Sequence, residues 1–481
     1  MHAIFTWFGR LSPVGVAFFG SLLLSVIAVL GVVTIGKDAA FYIDIAQRVN
    51  ADGVQAAILA FDWPWFPILL AWSHSLLGLP YEQVAYLWCA LLMAGACALL
   101  VDALGRALPG SGLWMPLLVL ALPALNSFRN DILREQGFWF FSVLALWLAL
   151  NWAERGGWLR AAAIHLAILG AALFRLEALM LFGALALWRL PDLFSYSGWN
   201  RLLQIAALPL LGGAVALVVI TVSGGFSQGR VEYYLHLLDP SALKTVFDTK
   251  TNALADAVFA KYMDDDAGLL LLGMILLAIL FSFIKLCGPV ALVFLRSVSW
   301  SAFGAYWRQY RLFVCAALIY IVVLVVFFLQ QGFVNSRYVS YLNLLALPLL
   351  AFALVGFVQK FPRLGRVLAV LLIVQMLDNV ISLGAKKTHY VEAGQWLSQH
   401  ASREASIYYD DPRIGYYAGF GYRVTGKTLG DAMAAPESYR YLLIEADGDE
   451  PWLLEWLKLH DLRVLERFAN RKDDAVLVIG N

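Results

Sequence analysis

The sequence of 481 residues predicts a mainly α-helical, polytopic membrane protein with a small α/β domain at its C-terminal end. Apolar residues make up 61% of the chain and charged residues 14%, against about 45–50% and about 25% in soluble proteins. The apolar residues gather in about eleven runs, several of them near the ~20 residues that cross a bilayer. The composition then changes near residue 386, where strand-like and helix-like stretches alternate.

The same totals exclude several classes of protein. A soluble globular chain and a disordered chain both need far more polar residues. A net charge of +1 argues against nucleic acid as a main partner. The sequence has no HExxH motif, which argues against a zinc hydrolase. The four cysteines lie in apolar runs without CxxC spacing and are interpreted as buried apolar side chains.

The predicted spans lie, in chain order, at 14–35, 84–104, 113–127, 136–153, 161–174, 176–190, 202–222, 267–286, 312–330, 338–358 and 364–384. The first run is too long for a cleavable signal peptide and is taken as a membrane helix. The apolar stretch Trp65–Leu79 is short, follows Pro64 and has Pro67 near its start, so it is interpreted as a juxtamembrane or re-entrant helix, with a twelfth span as the alternative. These elements make up a transmembrane domain over residues 1–385.

The distribution of basic residues predicts the orientation, because Lys and Arg in short loops mark the cytoplasmic side. With a cytoplasmic N-terminus, that side collects Arg10, Arg106, Arg155, Arg160, Arg189, Arg201, Lys285, Arg296, Arg308, Arg311, Lys360, Arg363 and Arg366. The outer loops are then 36–83, 128–135, 223–266 and 331–337, and they carry most of the acids. An odd number of spans puts residues 386–481 outside as well, as an extracytoplasmic α/β domain.

Strands of that domain are predicted at Ser406–Tyr409, Tyr439–Glu445, Arg463–Phe468 and Ala475–Ile479, and helices at His389–His400 and Glu450–Leu459. The strands follow from short β-branched and aromatic runs, and the helices from apolar residues at a period near 3.6.

Polar residues at the outer ends of the spans are the candidates for function, since charge near a membrane segment is costly. In the first outer loop, Asp38, Tyr42 and Asp44 lie on a predicted interfacial helix with Asp38 at its N-cap. A purely capping role for Asp38 remains open. Asp62 and Trp63 then precede Pro64 in an aromatic corner, which is alternatively an interfacial anchor.

The second outer loop holds Arg129, Asp131, Arg134 and Glu135 within seven residues. Two arginines beside two acids suit phosphate binding, with the acids holding the arginine side chains in place. A solvated hairpin tip with internal ion pairs is the alternative.

Two further clusters lie at later span junctions. Arg175 and Glu177 interrupt a long apolar stretch and must reach a polar cavity or each other. Arg337 and Tyr338 begin a late span, where Arg337 either meets an anionic headgroup or only extends its side chain to the interface.

The outer loop 223–266 carries Tyr233 and His236 and either selects an acceptor or is a plain connector. The run Asp264–Asp266 leaves a divalent metal open, with a solvated turn as the alternative. No other cofactor is predicted.

Together these residues suit transfer chemistry at the outer membrane surface. Asp38 is placed to take a proton from an acceptor hydroxyl. Arg175 and Arg337, with Arg129 or Arg134, are placed to stabilise a phosphate leaving group.

This arrangement resembles the GT-C glycosyltransferases, in particular the lipid A aminoarabinose transferases and protein O-mannosyltransferases. In those families the first span leads to an Asp-Glu-x-x-Tyr-x-Glu-Ile-Ala-like helix, and here Lys37–Ala46 occupies that place with one acid instead of two. A Pro-containing start to a short apolar helix follows, with Trp63-Pro64 where relatives have Lys-Pro or His-Pro. Asp131, Arg175 and Arg337-Tyr338 occur in the family order, and the small C-terminal α/β domain is similar to that of the aminoarabinose transferases.

The resemblance implies a sugar donor carried on a polyprenyl phosphate in the outer leaflet and a single inverting displacement with Asp38 as general base. The acceptor would be lipid A, another envelope glycan or a secreted protein such as a pilin, which implies a bacterial inner membrane. The assigned residues are Asp38, Asp131 and Glu135 for catalysis; Arg129, Arg134, Arg175, Arg337 and Tyr338 for the donor phosphate; and Tyr42, Asp44, Asp62, Trp63, Glu177, Tyr233 and His236 for substrate.

Two other functions stay open at the level of the sequence. A flippase or transporter for an envelope precursor would need polar residues through the bilayer midplane and often paired repeats. An O-antigen polymerase or ligase would use outer-face arginines on a lipid-pyrophosphate donor.

Overall fold

The structure is a computed structural model that describes residues 12–222, 239–258, 266–423 and 426–481. Within these ranges the chain is mainly helical and carries a small four-stranded sheet near its C-terminal end. Several helices are long and apolar enough to cross a membrane. The predicted fold class is therefore confirmed at this level.

The helices up to residue 380, numbered in chain order, are α1 Pro13–Leu30, α2 Lys37–Asp52, α3 Val54–Ala60, α4 Trp65–Leu77, α5 Tyr81–Ala107, α6 Trp114–Ala121, α7 Pro123–Asn126, α8 Glu135–Arg155, α9 Trp158–Phe174, α10 Met180–Arg189, α11 Tyr196–Val222, α12 Pro240–Val258, α13 Ala267–Cys287, α14 Ser301–Gln309, α15 Arg311–Gln331, α16 Ser336–Leu345, α17 Leu347–Lys360 and α18 Pro362–Val380. Short 3-10 segments lie at Leu176–Leu179, Leu190–Phe194, Gly288–Leu295 and Ser297–Trp300. Each of the eleven predicted apolar runs coincides with one or two of these helices.

By length and composition, five helices in the described part of the chain qualify as membrane spans: Pro13–Leu30, Tyr81–Ala107, Glu135–Arg155, Ala267–Leu295 and Arg311–Gln331. The pair α16 and α17, bent by 61°, makes a sixth if it is one broken span. Several other runs are shorter or interrupted. The run 113–127, for example, breaks at Leu122, where Pro123 starts a new helix. The count of about eleven spans therefore stays a prediction.

Backbone contacts divide the chain into two compact units. The helical unit contains the residues up to Val26, Trp88–Arg129 and Arg134–Val380. The mixed unit contains Ile27–Leu87, Asn130–Leu133 and Ile381–Asn481. The first predicted outer loop thus belongs to the same unit as the C-terminal α/β region.

In the helical unit, α8 packs closely against α5 and α9, because a glycine on one helix lies under an aromatic ring of the other at each crossing. A Cβ on Gly95 of α5 would lie 2.6 Å from the Phe140 ring, and one on Gly170 of α9 would lie 2.8 Å from the Phe141 ring. A Cβ on Gly137 would overlap the ring of Phe174 at the end of α9. Small residues at such crossings let apolar helices approach closely, which is the main source of packing energy between membrane helices.

The C-terminal part of the mixed unit is a two-faced sheet. Its helices are α19 Thr388–His400, α20 Pro412–Tyr417, α21 Leu429–Ala434 and α22 Pro451–Leu459, and its strands are β1 Ile407–Tyr409, β2 Tyr441–Glu445, β3 Arg463–Ala469 and β4 Ala475–Gly480. The strand order is β1-β2-β4-β3, with β1 parallel to β2 and the other two pairs antiparallel. The predicted strands and helices are confirmed to within one or two residues.

The two faces of this sheet bury alternate residues of each central strand. Val476 and Val478 of β4 pack on the side covered by α19 and α20, while Leu477 and Ile479 pack on the side covered by α21 and α22. Because β4 is central and covered on both faces, every residue of it is buried.

One local prediction is wrong. Asp38 is not the N-cap of its helix, because α2 begins at Lys37 and its N-cap is Gly36, which has an extended backbone and no side-chain cap. Asp38 therefore lies in the first turn, where a negative charge still favours the helix dipole.

Candidate functional site

The predicted site residues fall into two groups, one in each unit. The helix-end cluster, in the helical unit, consists of Glu135, Arg175, Glu177, Arg337 and Tyr338. The loop cluster, in the mixed unit, is built around Asp38 and includes Asp131 and residues of the C-terminal region.

Arg175 is the centre of the helix-end cluster. It lies between α9 and the 3-10 segment Leu176–Leu179, where its extended backbone breaks the apolar stretch. Its Nη1 donates to Glu135 Oε1 at 2.6 Å, its Nε donates to Glu177 Oε2 at 3.3 Å, and its Nη2 pairs with the other oxygen of Glu177. The expectation that Arg175 and Glu177 reach each other is confirmed.

Arg337 joins the same carboxylate from a third helix. It lies in the first turn of α16, whose N-cap Asn335 accepts a hydrogen bond from the Arg337 backbone N–H. Its Nε is 3.5 Å from Glu135 Oε1. Glu135 therefore holds two guanidinium groups near one oxygen.

Tyr338 lies between the two arginines. The Arg175 guanidinium carbon is 4.4 Å from the centre of its ring, and the Arg337 carbon is 5.3 Å from it. The Tyr338 backbone is fixed in turn, because Tyr320 donates its hydroxyl to the Tyr338 carbonyl at 3.0 Å. A cation over an aromatic face is stabilised by about 0.5–2 kcal/mol, so the ring positions both charges.

The direction of the helices explains why these residues meet. Glu135 begins α8, Arg175 follows the end of α9, and Arg337 begins α16, so the three lie at a common end of the helices. The opposite ends carry basic residues, such as Arg155, Arg189 and Lys360. The cluster thus lies at the end of the helices opposite to these basic residues.

The two arginines of the cluster differ in how far their side chains are buried. The side chains of Glu135 and Arg175 are 5% and 13% exposed, whereas that of Arg337 is 24% exposed. Arg175 has both of its acidic partners within hydrogen-bond distance, whereas the contact of Arg337 with Glu135 is long. Arg337 is therefore the arginine of the pair better placed to meet an anionic ligand.

Arg129 does not join this cluster. It is buried in the helical unit, where Nε donates to Asn126 and Nη1 donates to Ser21 and Ser25 at 2.9–3.0 Å. Its position indicates that it ties α1 to the turn after α7. Arg134, half-buried, is the N-cap residue of α8.

In the loop cluster, Asp38 is half-buried at the start of α2. A Cβ on Gly36 would be 3.7 Å from Asp131 Oδ1, so the second predicted acid lies beside the same helix start. Burial raises the pKa of the Tyr422 hydroxyl, and the negative charge of Asp38 raises it further. The structure therefore brings Asp38, Asp131 and Tyr422 into one neighbourhood.

Asp44 is buried and holds the C-terminal region on α2. It pairs with Arg48 at 2.8 Å and accepts the backbone N–H of Tyr422 at 3.0 Å. Gly421 makes this approach feasible, since its φ is positive, at +85°, and a Cβ there would be 2.6 Å from Asp44 Oδ1. Asp44 thus has a structural partner in the sequence-distant Tyr422.

Sequence reasoning missed an ion-pair network next to this site. Asp411 is fully buried and binds both Arg413, at 2.6 Å and 2.8 Å, and Lys37 at 3.1 Å. Tyr416 of α20 donates its hydroxyl to Glu82 at 2.9 Å. The Asp411-Pro412 pair, which caps and starts α20, was the available signal.

The remaining predicted residues of the first loop are mainly aromatic. Tyr42 is buried against Phe61 and Phe66, with ring centres 6.3 Å and 5.6 Å away. Trp63 contacts Trp65 edge to face at 6.5 Å, and Asp62 is exposed beside it. The predicted aromatic corner before α4 is therefore present.

Two other predictions fall outside the described part of the chain. Tyr233 and His236 lie in the 223–238 segment, and Asp264 and Asp265 lie in the 259–265 segment. Among the described residues, no group of three or more His, Cys, Asp or Glu side chains is arranged to hold a metal ion.

The fold and the site define a mainly α-helical protein with apolar, membrane-length helices and a charged cluster at one end of them. A scan of the chain against protein-family models found no match, and a search of curated proteins found no significant match.

Proposed function

We propose that the protein is a membrane glycosyltransferase that moves a sugar from a polyprenyl-phosphate donor to an envelope glycolipid or a surface protein. The observation that supports this most is the helix-end cluster, in which Glu135 holds Arg175 and Arg337 on two sides of Tyr338. Paired, pre-positioned guanidinium groups suit a phosphate that gains charge as it leaves.

The reaction is a single displacement at the anomeric carbon of the donor sugar. The acceptor hydroxyl oxygen forms the new bond as the bond between that carbon and the phosphate oxygen breaks. The phosphate leaves with the electron pair, and Arg337 binds its developing charge while Arg175, saturated by two carboxylates, fixes the local geometry. Asp38 accepts the hydroxyl proton as general base, and the configuration inverts.

The proposed setting is a bacterial inner membrane, with about eleven spans and a GT-C-like catalytic domain over residues 1–385. The N-terminus is cytoplasmic, and residues 386–481 lie on the extracytoplasmic side. The basic residues at one set of helix ends and the cluster at the other set support this orientation.

The test is mass spectrometry of envelope lipids and surface proteins from cells with the gene, without it, and with Asp38→Asn. We expect a mass increment of one sugar that is absent without the gene and absent with Asp38→Asn, while the donor lipid accumulates. Asp52→Asn is the matched control, because Asp52 is an exposed carboxylate at the other end of α2. It should retain transfer.

Retained transfer with Asp38→Asn would contradict the assignment of the base. Transbilayer movement of the donor lipid without transfer would identify a flippase instead. An oligosaccharide released from a lipid pyrophosphate would identify a polymerase or ligase.

A further inference from the structure

A basic surface lies at the ends of candidate membrane spans in the helical unit and consists of Arg296, Arg308, Arg311 and Lys360. The candidate span Ala267–Leu295 ends directly before Arg296, and the span Arg311–Gln331 begins with Arg311. The connection between these two spans contains the short helix α14, which packs on α17. Because α17 ends at Lys360, the surface collects cations from the ends of three neighbouring helical segments.

Two of these cations converge on one aromatic ring. The guanidinium carbon of Arg296 is 5.8 Å from the centre of the Phe361 ring, and Lys360 Nζ is 5.9 Å from the same centre. Arg311 lies over a second ring, with its guanidinium carbon 6.0 Å from the centre of Trp307. Aromatic faces attract cations, so Phe361 holds two like charges that are distant in sequence at a common position.

No acidic residue from the same part of the chain balances this charge. Residues 267–377 contain no Asp or Glu. The neighbouring helix α5 approaches through Ala103, whose carbonyl accepts the Tyr310 hydroxyl at 2.7 Å, but the Asp102 carboxylate of that helix already pairs with Arg106. Since Arg296 and Lys360 are both exposed, an anion from outside the protein can reach them.

The connection that carries these cations also exposes large apolar side chains. Trp300, Phe303 and Trp307 are 66%, 54% and 53% exposed, and Leu295, directly before Arg296, is 80% exposed. Aromatic side chains at the ends of membrane spans lie at the boundary between acyl chains and headgroups. A free anion would contact the cations alone, whereas a lipid would contact the cations and the apolar side chains together.

We propose that the basic surface binds an anionic phospholipid, with Arg296 and Lys360 on its phosphate and Trp300 and Phe303 against its acyl chains. The guanidinium group can donate two parallel hydrogen bonds to phosphate oxygens, and the ammonium group adds a compact charge. Basic clusters at the ends of membrane helices suit anionic headgroups for this reason. Lys360 ends the pair α16 and α17 that Arg337 begins, so this lipid site does not depend on the proposed transfer reaction.

The test is native mass spectrometry of the full chain released from a non-ionic detergent, with phosphatidylglycerol as the probe. Phosphatidylcholine with the same acyl chains is the zwitterionic comparison. We expect saturable retention of phosphatidylglycerol with a Kd about tenfold or more below that of phosphatidylcholine, because only phosphatidylglycerol carries a net negative charge. Arg296→Gln and Lys360→Gln should each weaken the retention of phosphatidylglycerol about fivefold, since each removes one cation from the phosphate.

Arg201→Gln is the matched control, because Arg201 is an exposed arginine near the start of another helix, α11. It should change the Kd by less than about twofold, since it alters the total charge but not the basic surface. Equal Kd values for the two lipids, equal weakening in all three variants, or displacement of phosphatidylglycerol by inorganic phosphate at the same concentration would overturn the proposal. Should either variant unfold at a lower temperature than the wild type, the two lipids and the phosphate competition on the unaltered chain decide alone.

Discussion

Arg175 and Glu135 lie 40 residues apart in the sequence and form a 2.6 Å ion pair that joins the end of α9 to the start of α8. Both side chains are largely buried, so the pair is poorly screened by water. Glu135 also contacts Arg337, which makes this carboxylate the common anchor of two cations on separate helices. Glu135 therefore links the packing of the helical unit to the geometry of the proposed phosphate site.

Replacement of this anchor should be costly. We expect Glu135→Gln to lower the stability of the protein by about 3 kcal/mol, because it leaves two guanidinium groups with less compensating charge. A lower midpoint of thermal unfolding in detergent would report the loss. Glu154→Gln is the control, since Glu154 is exposed near the other end of the same helix and should shift stability by no more than about 0.5 kcal/mol. Equal midpoints for the two variants would contradict the anchoring role.

The close approach of α8 and α9 beside this anchor gives a second prediction. Gly137→Ala places a methyl group in the ring of Phe174 and should destabilise the protein by about 1–3 kcal/mol. The double variant Gly137→Ala, Phe174→Leu should recover part of that loss, which a double-mutant cycle of unfolding midpoints measures. Gly356→Ala in α17 has open space around its new Cβ and should be neutral or slightly stabilising. Additive effects of Gly137→Ala and Phe174→Leu would contradict direct contact.

The sequence predicts the helices and strands of this structure better than the contacts between them. The apolar runs mark the helices because composition alone identifies a chain that can lie in a bilayer, and the alternation around Tyr441–Glu445 and Ala475–Gly480 marks the strands. The pairing of Glu135 with Arg175 depends on which faces of α8 and α9 meet, and helices that are apolar all round give no such signal.

The same limit applies to the arginines and to the first loop. Arg129 and Arg175 both occur near short acidic motifs, yet Arg129 is bound by neutral side chains from α1 and Asn126, a contact across 108 residues. Aspartate is favoured at N-caps, which places Asp38 there in the sequence prediction, but the helix begins at Lys37 with Gly36 as its N-cap. The contact of Asp44 with Tyr422 spans 378 residues and lies beyond any local pattern.

That contact can be tested with two neighbouring glycines. Gly419 and Gly421 both have positive φ, at +76° and +85°, so alanine is strained by about 1 kcal/mol at either position. A Cβ on Gly419 meets nothing within 4 Å, whereas one on Gly421 would be 2.6 Å from Asp44 Oδ1. We expect Gly421→Ala to cost about 1–2 kcal/mol more than Gly419→Ala, because it also displaces the Asp44 hydrogen bond. Indistinguishable unfolding midpoints would show that this bond does not hold the two segments together.

The buried Asp411 should make stability depend on pH. Burial by itself raises the pKa of this carboxyl, but its hydrogen bonds and charge contacts with Arg413 and Lys37 outweigh that effect and lower it. Because the pKa in the folded state lies below the unfolded value of about 3.9, the stabilisation is present above about pH 4 and is lost as the pH falls through the folded value. Asp411→Asn should therefore be about 2 kcal/mol less stable than wild type at pH 7, with the difference closing below about pH 4. Thermal unfolding between pH 7 and pH 3 measures it, and a difference independent of pH would contradict the assignment.

The two arginines of the helix-end cluster should separate stability from activity. Arg175 is 13% exposed and bound by two carboxylates, so Arg175→Ala leaves buried acids unpaired and should lower stability by about 3 kcal/mol together with transfer. Arg337 is 24% exposed and its contact with Glu135 is long, so Arg337→Ala should destabilise the protein less than Arg175→Ala, by about 1 kcal/mol. Transfer should nevertheless fall about 100-fold or more, because a group that binds the leaving phosphate acts mainly in the transition state.

Arg337→Lys should recover only part of the rate, since lysine cannot reproduce bidentate binding. The exposed Arg366, in the first turns of α18, provides the control Arg366→Ala, which should leave both quantities unchanged. Loss of stability and transfer in equal measure with Arg337→Ala would mean that Arg337 supports the fold and does not bind the donor.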